Sequence, residues 1–189
     1  MGMNLTFDLA GRTALVTGAS SGIGRRFAAL LAKSGARVIA AARRTEQLEE
    51  LCAEIRNRGG AAIAVGMDVA DEASTIAAYD AAERAFGPVD TIVANAGVSP
   101  PGSALGLSID DFDFTMSVNV RGAFLTASEG ARRMVTSDIG ASGAGRVVLI
   151  GSVTGQHPFQ GIVPYGASKA AVAQMGRLLA KDWAGKGIN

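Results

Sequence analysis

The chain alternates between short apolar runs and longer stretches in which apolar residues recur every three or four positions. Five of the runs are short, continuous and rich in Val, Ile and Ala. Runs of this kind are typical of strands buried on both faces, as in a parallel sheet that is covered by helices. The predicted strands span residues 13–16, 38–41, 61–65, 89–93 and 147–150.

The longer stretches have the period of amphipathic helices. In the first of them, Ile23, Phe27, Leu30 and Leu31 fall on one helical face, and Ser34-Gly35 then ends the helix. The predicted helices span residues 23–34, 48–55, 71–86, 109–137 and 164–184, and residues 139–145 form a loop of small residues. Because strands and helices alternate throughout, the pattern predicts an α/β fold, a doubly wound parallel sheet with helices on both faces.

Length and composition fit one folded domain over residues 1–189. With 48% hydrophobic and 19% charged residues, the chain can build one core and is not disordered. Eighteen basic residues against seventeen acidic ones leave a net charge of +1, so no general attraction to nucleic acid or anionic membranes is expected. No apolar run reaches the roughly 18 residues of a membrane helix. The amino-terminal residues lack the basic start and apolar stretch of a signal peptide.

Cys52 is the only cysteine and His157 is the only histidine. A single thiol forms no intrachain disulfide, and these two residues, far apart in sequence, make no metal-ligand set. One cysteine fits a reducing compartment, so we expect a cytoplasmic protein without a bound metal. His157 is interpreted as a loop or substrate-rim residue.

A glycine-rich turn, TGASSGIG at residues 17–24, follows the first predicted strand. Its glycines would let the backbone approach a pyrophosphate, whose charge would meet the amides at the start of the next helix. The spacing differs from the commoner G-x-G-x-x-G pattern, and a glycine-rich turn can also serve only to reverse the chain. The candidate cofactor ligands here are Gly18, Ser20, Ser21, Gly22, Ile23 and Gly24.

Polar or glycine-rich groups also follow each of the other predicted strands. Alone, each has a plainer explanation, as a surface pair, a helix cap, a turn former or a loop residue. Ligands of doubly wound sheets bind at the carboxyl ends of the strands, however, and these groups all fall there. Their joint occurrence predicts a dinucleotide site. They are Arg43 and Arg44, Asp68 and Val69, Asn95, Ala96 and Gly97, and Ser152.

The end of the second predicted strand addresses the choice between NAD and NADP. NAD sites usually have an acidic residue there, which binds the ribose 2′-hydroxyl. This chain has Arg43 and Arg44 instead. A guanidinium can form two charge-assisted hydrogen bonds with a 2′-phosphate, and no carboxylate repels that phosphate. We therefore predict NADP rather than NAD.

The strongest chemical signal is a Tyr-x-x-x-Lys pair, Tyr165 and Lys169, on the last predicted helix. Residues four apart share one helical face, and an ammonium beside a phenol lowers the phenol pKa from about 10. Such a tyrosine can exchange protons near neutral pH, as carbonyl/alcohol interconversion requires. An isolated pair of this kind can also be an interfacial Tyr with an exposed Lys. Here Ser152 and the glycine-rich turn occur at compatible places.

Together these motifs make the chain resemble the short-chain dehydrogenase/reductase family, from about Phe7 to the last residue. The resemblance implies a Rossmann-like, NAD(P)-binding oxidoreductase. In it, Tyr165 would be the general acid/base, and Lys169 would lower its pKa and bind the nicotinamide ribose. Ser152 would hold the substrate oxygen, and Asn119 would position a water behind Lys169.

The resemblance also implies contacts with the cofactor and with a partner subunit. Asp68 and Val69 would contact the adenine, and Asn95, with Ala96 and Gly97, would stabilise the central strand beside the cofactor. Members of the family usually form homodimers or homotetramers. In this chain the contacts would come from the predicted helices over residues 109–137 and 164–184.

The chain departs from the family at its end, Gly187-Ile188-Asn189, where related proteins continue with two more strands and a mobile substrate lid. Ile188 resembles the first residue of another strand, so we expect either a truncated chain or an omitted remainder. Without a following strand, the fifth predicted strand would be an exposed edge.

The leading hypothesis is NADP-dependent interconversion of a secondary alcohol and a ketone by hydride transfer. Two alternatives stay open. The first is reduction of a 3-oxo group carried on a thioester, which these residues do not separate from reduction of a free ketone. The second is a nucleotide-binding scaffold without turnover. The expected partners are a small-molecule substrate and further copies of the chain.

Overall fold

A computed structural model describes residues 7–189, so the prediction about a signal peptide falls mainly on residues outside this range. The described chain alternates strands and helices from Thr13 onward. The strands are β1 (Thr13–Thr17), β2 (Arg37–Ala42), β3 (Ala61–Gly66), β4 (Thr91–Ala94) and β5 (Arg146–Leu149). The α-helices are α1 (Gly22–Lys33), α2 (Thr45–Asn57), α3 (Glu72–Phe86), α4 (Ile109–Met116), α5 (Gly122–Val135), α6 (Asp138–Ala141) and α7 (Val163–Trp183).

The strands form one parallel sheet in the order β3-β2-β1-β4-β5. The chain moves outward from β1 to β3, then crosses back and continues on the other side of β1 with β4. The change of direction opens a crevice between the carboxyl ends of β1 and β4, which is where ligands bind in doubly wound sheets. The predicted fold is therefore confirmed, and so is the order of its strands and helices.

Alternate residues of the central strand face two separate apolar layers. Ala14 and Val16 pack with residues of α1 and α2, and Leu15 packs with residues of α3 and α5. All three side chains are buried. β1 is therefore buried on both faces, and so is β2, which explains why these strands appear as continuous apolar runs in the sequence. The prediction of burial on both faces is wrong for the edge strand β5, where Val148 is exposed.

An ion-pair network fixes α5 against α3. The guanidinium of Arg133 lies 2.8 Å from Asp80 Oδ1, 2.8 Å from Glu83 Oε2 and 2.7 Å from Glu129 Oε1. The hydroxyl of Tyr79, which is completely buried, donates to the main-chain oxygen of Thr126 at 2.7 Å. These contacts hold α5 firmly against α3.

The predicted helix over residues 109–137 is not one continuous α-helix. It is divided into α4 and α5 by a π-helical turn, Ser117–Arg121, which contains Asn119. A π-helical turn inserts one residue into the helical repeat, and such turns often occur at functional sites. The hydrophobic pattern conceals the insertion because apolar residues continue at helical spacing on both sides of it.

The predicted loop over residues 139–145 is also partly wrong. Ser137 caps a single helical turn, α6, by accepting a hydrogen bond from the Ile139 N–H, and the chain then turns at Gly143, where φ is +67°. The small residues of this segment hide the helical turn, because none of them is buried at a helical period.

The last residues of the chain begin to pair beside β5. Ile188 forms a parallel bridge with Gly145, and the N–H of Val147 donates to the Asn189 oxygen at 2.8 Å. Ile188 is buried in the core, as expected for the first residue of another strand. Within residues 7–189, no helix is both long and apolar enough to span a lipid bilayer.

Candidate dinucleotide and active site

The glycine-rich turn between β1 and α1 packs directly against the chain that follows β4. A Cβ at Gly24 would lie 2.4 Å from the Gly18 oxygen and 2.5 Å from Asn95 Nδ2. A Cβ at Gly18 would lie 2.9 Å from both Asn95 Nδ2 and the Ala96 Cα, and φ at Gly18 is +67°. No side chain fits at either glycine, so α1 can start close to the crevice of the sheet.

The start of α1 offers main-chain donors to an anion. Ser21 precedes the helix without a side-chain capping hydrogen bond, and the first turn of α1 has no acidic residue. Gly22 has a φ of +57°, and a Cβ there would meet nothing within 4 Å, so the turn faces open space. Free amides, the positive end of the helix dipole and an open cradle fit a pyrophosphate.

A threonine at the end of β1 joins the two sides of the crevice. Thr17 Oγ1 accepts hydrogen bonds from the N–H groups of Asn95 and Ala96, at 3.0 and 3.1 Å. In return, Asn95 Nδ2 donates to the main-chain oxygen of Thr17 at 2.9 Å. Asn95 therefore holds β1 and β4 together at the point where they diverge. Thr17 belongs to the glycine-rich motif, but the sequence pattern did not indicate this role for it.

The two arginines after β2, Arg43 and Arg44, differ in their hydrogen bonds. The guanidinium of Arg44 donates to Ser20 Oγ at 2.9 Å and to Ser21 Oγ at 2.8 Å, so it braces the glycine-rich turn. Both arginines are exposed and line the same cleft as the two serines. The cleft wall next to the end of β2 thus carries two positive charges.

Asp68 and Val69 border the cleft after β3. Asp68 Oδ1 accepts the N–H of Ala70 at 3.0 Å, and the Asp68 N–H donates to Ser74 Oγ at 2.9 Å. Val69 is buried against the start of α5, where a Cβ at Gly122 would lie 2.7 Å from Val69 Cγ2. The two residues form a fixed rim beside the positively charged wall.

These elements enclose a cleft of about 380 Å³ at the carboxyl edge of the sheet. Its lining contains all the predicted cofactor residues except Gly22, Tyr165 and Lys169. The lining residues are Gly18, Ser20, Ser21, Ile23, Gly24, Ala42, Arg43, Arg44, Met67, Asp68, Val69, Asn95, Ala96, Gly97, Val98 and Val118.

Lys169 lies at the end of this cleft. Its side chain is almost completely buried, and its Nζ donates to the main-chain oxygen of Ile150 at 2.7 Å. The same Nζ lies 5.7 Å from the centre of the Tyr165 ring and 3.7 Å from where a Cβ of Gly97 would be. Burial lowers the pKa of Lys169 from 10.5. The Lys169 amine therefore lies close to the Tyr165 ring and to Gly97, which borders the cleft.

Asn119, in the π-helical turn, connects the chain after β4 with α7, the helix that carries Tyr165 and Lys169. Its Oδ1 accepts the N–H of Val98 at 2.8 Å, and its Nδ2 donates to the Val98 oxygen and to Ser168 Oγ, both at 2.9 Å. Ser168 Oγ in turn donates to the main-chain oxygen of Tyr165 at 2.7 Å. Both amide hydrogens of Asn119 are thus used, one on Val98 and one on Ser168. Ser168 links Asn119 to the main chain of Tyr165, a role that the sequence pattern did not indicate.

Ser152 is positioned by the one-turn 3₁₀ helix Val153–Gly155, which it precedes. This turn packs tightly on α7: a Cβ at Gly155 would lie 2.9 Å from the Lys169 carbonyl carbon, and a Cβ at Gly166 would lie 3.2 Å from the Thr154 oxygen. Ser152 is half-buried and accepts a hydrogen bond from Thr154. The 3₁₀ turn therefore sets the serine beside the helix that carries Tyr165 and Lys169.

The fold and the site are those of a Rossmann-like α/β protein with a crevice at the carboxyl ends of its strands. The sequence matches the family described as short chain dehydrogenase over residues 12–189. The D-threitol dehydrogenase of Mycolicibacterium smegmatis is 37% identical over 188 residues, which cover 100% of this chain and 70% of that protein. The chain belongs to the short-chain dehydrogenase family.

Two further relatives agree with this assignment. A chloroplastic NADPH-dependent aldehyde reductase-like protein of Arabidopsis thaliana is 39% identical over 193 residues, which cover 95% of this chain and 70% of that protein. The crystal structure of a short-chain type dehydrogenase/reductase from Mycobacterium marinum superposes with a TM-score of 0.91 at 34% identity, covering 97% of this chain and 72% of the other. The predicted family is confirmed, and with it the oxidoreductase class and the NAD(P) cofactor class.

Proposed function

We propose that this chain is an NADP(H)-dependent oxidoreductase that interconverts a secondary alcohol and a ketone. The observation that carries the proposal is the placement of Lys169. Its buried ammonium lies between the Tyr165 ring and Gly97, where the chain that borders the cleft meets the catalytic helix. A proton-exchanging phenol and a dinucleotide would therefore meet at one point.

The chain's own residues would handle the proton and the oxygen. The bound nicotinamide would supply or accept the hydride. In the reducing direction, Tyr165 gives its phenolic proton to the substrate oxygen as negative charge develops there, and Lys169 stabilises the resulting phenolate. Ser152 donates a hydrogen bond to the same oxygen. In the oxidising direction, the phenolate takes the proton back from the alcohol.

Asn119 would serve this chemistry in two ways. Its side chain fixes Tyr165 through Ser168 and fixes the loop after β4 through Val98. A water behind Lys169 would then be held by an oxygen of Asn119, because both hydrogens of its side-chain amide already have partners.

NADP is the cofactor that the cleft suits best. Arg43 and Arg44 place two guanidinium groups beside the end of β2, where a 2′-phosphate would lie. Asp68 and Val69 would border the adenine, and the first turn of α1 would hold the pyrophosphate. The Arabidopsis relative, described as NADPH-dependent, supports this choice.

The loops bordering Ser152 favour an uncharged substrate. Residues 98–108 and 151–163 contain no Lys, Arg, Asp or Glu, and the N–H of Gly102 donates to the Gly161 oxygen, so the two loops meet. Beyond them, α4 begins with exposed Asp110, Asp111 and Asp113. A 3-oxo group on a polyanionic thioester carrier would meet acids instead of cations, so a free ketone is the better candidate.

We also propose a cytoplasmic homodimer or homotetramer. Phe124, Val135 and Leu178, on the helices that the resemblance assigns to subunit contacts, are about half exposed. Cys52 is buried, and burial raises the pKa of its thiol to about 11, so this thiol would react slowly.

The experiment is to mix the full chain with NADPH and a ketone and to follow the absorbance of the reduced nicotinamide. The panel contains an apolar methyl ketone, a neutral keto-sugar, a keto-sugar acid and a 3-oxoacyl thioester of coenzyme A. Consumption of NADPH with neutral ketones, and faster than with the two anionic compounds, supports the proposal. Binding of NADPH without consumption in every mixture would favour the inert scaffold instead.

A further inference from the structure

The hydroxyl oxygen of Ser152 receives two hydrogen bonds from one residue. The N–H of Thr154 donates to Ser152 Oγ at 3.2 Å, and Thr154 Oγ1 donates to the same oxygen at 2.9 Å. The first contact is the ordinary cap of the 3₁₀ turn. The second is not needed by the turn, which the main-chain contact already caps.

This arrangement restricts what the serine hydroxyl can do. A hydroxyl has two acceptor lone pairs and one donor hydrogen. With Thr154 at both acceptor positions, Ser152 keeps only its hydrogen, which must point away from the turn. Hydrogen bonds in a chain polarise one another, so an oxygen that accepts becomes a stronger donor.

The location of the turn makes this effect useful. The turn packs on α7, with the Thr154 oxygen 3.2 Å from where a Cβ of Gly166 would be. Gly166 is the residue after Tyr165, so the direction of the Ser152 hydrogen is set relative to the catalytic helix. An apolar residue at position 154 would keep the cap but release one acceptor site.

We propose that Thr154 is a positioning residue that makes Ser152 a dedicated hydrogen-bond donor to the substrate oxygen. The inference rests on the proposed function, because it requires a carbonyl oxygen at Ser152. Donation matters most when negative charge develops on that oxygen. Thr154 therefore acts on the transition state, and its loss lowers kcat without raising KM.

The test compares three variants in the full chain. Thr154→Val keeps the shape and removes the hydroxyl, Thr154→Ala removes it together with the methyl group, and Thr154→Ser restores it. For each we would measure kcat and KM for the best ketone, the Kd of NADPH by fluorescence, and the midpoint of thermal unfolding. Loss of one hydrogen bond corresponds to a fall in kcat of roughly tenfold.

The expected result is a fall in kcat of that size in both Val and Ala variants, recovery in the Ser variant, and an unchanged KM and NADPH Kd. Three outcomes overturn the role of Thr154: a Val variant as fast as the wild type, a Ser variant as slow as Val, or a loss confined to KM or Kd. A wild-type chain that binds NADPH but reduces no ketone refutes the proposed function itself, which is a separate result.

Discussion

The ammonium of Lys169 lies 5.7 Å from the centre of the Tyr165 ring, and one helix carries both residues. A hydrogen bond to the Ile150 oxygen fixes the ammonium, and Ser168 and Asn119 fix the main chain at Tyr165. The chain after β5 therefore holds Lys169, and the π-helical turn holds Tyr165. Its geometry depends on the fold as a whole and not on the helix alone.

Removal of the Tyr165 hydroxyl should abolish proton exchange with the substrate. In Tyr165→Phe we expect kcat to fall by about 10²–10⁴, the usual contribution of a general acid/base. The Kd of NADPH should change little, because the ring remains in place. Steady-state turnover and fluorescence titration measure the two quantities. Turnover at the wild-type rate would reject Tyr165 as the acid.

Replacing each of the two arginines after β2 should change cofactor affinity in a different way. Arg43→Ala should weaken binding of NADP⁺ about tenfold or more, as expected for a charged hydrogen bond, and leave NAD⁺ binding unchanged. Arg44→Ala should weaken both, since Arg44 also braces Ser20 and Ser21. Calorimetric titration with each cofactor measures this.

The matched control for the arginine series is Arg58→Ala, an exposed arginine that follows α2 and does not line the cofactor cleft. It should leave both affinities unchanged. If Arg43→Asp bound NADP⁺ as well as the wild type, or if the wild type preferred NAD⁺ in competition, the assignment of the 2′-phosphate to this wall would fail.

A side chain at Gly24 should destabilise the fold. In Gly24→Ala the new Cβ would lie 2.4 Å from the Gly18 oxygen, so the backbone must shift. We expect the free energy of unfolding to fall by about 1–3 kcal/mol, the usual effect of overpacking. Urea unfolding measures it, with Gly185→Ala, where a Cβ meets nothing within 4 Å, as the control. A stabilised Gly24→Ala would show that α1 can move.

The burial of Lys169 should appear in the pH dependence of stability. Because burial lowers its pKa, the folded chain releases the Lys169 proton at a lower pH than the unfolded chain does. Above the pKa of the folded state and up to 10.5, the unfolded chain binds more protons, so folded stability rises with pH in this window. The contribution of Lys169 is least favourable below the window, where the buried amine is charged.

The comparison of wild type with Lys169→Met isolates this effect. The difference in the free energy of unfolding, measured by urea titration at several pH values from about 7 to about 10, should shift in favour of the wild type as the pH rises. Other titrating groups are common to both chains and cancel. A difference that is independent of pH would mean that Lys169 is not desolvated by the fold.

The sequence predicted those parts of the structure that depend on local pattern. The five strands have apolar residues on both faces, and the polar groups that follow β1, β2, β3 and β4 line one cleft because parallel strands end at one edge. Helical spacing predicted that Tyr165 and Lys169 share one face of the last helix, and Ser152 with the glycine-rich turn favoured the pair as a site. The local pattern did not indicate that Asn95 is bonded to Thr17, 78 residues away, or that Asn119 is bonded to Ser168, 49 residues away.

The π-helical turn at Ser117–Arg121 could not be predicted for a related reason. Each residue of an α-helix advances by about 100°, so one inserted residue rotates everything after it without interrupting the apolar spacing on either side. Only the contacts that Asn119 makes with Val98 and Ser168 identify the insertion, and these require the folded chain. The Thr154 contact joins residues only two positions apart, but the 3₁₀ turn that brings their hydroxyls together was not predicted from the sequence.

The inserted residue sets α4 and α5 out of phase with each other by about a quarter of a turn. Amino-acid replacements in this segment alter side chains but keep that offset, whereas loss of one residue anywhere in Ser117–Arg121 would remove it. A shortened helix could keep α5 on the sheet only by turning α4 away from α7, or the reverse. The segment should therefore tolerate substitution far better than it tolerates a change of length.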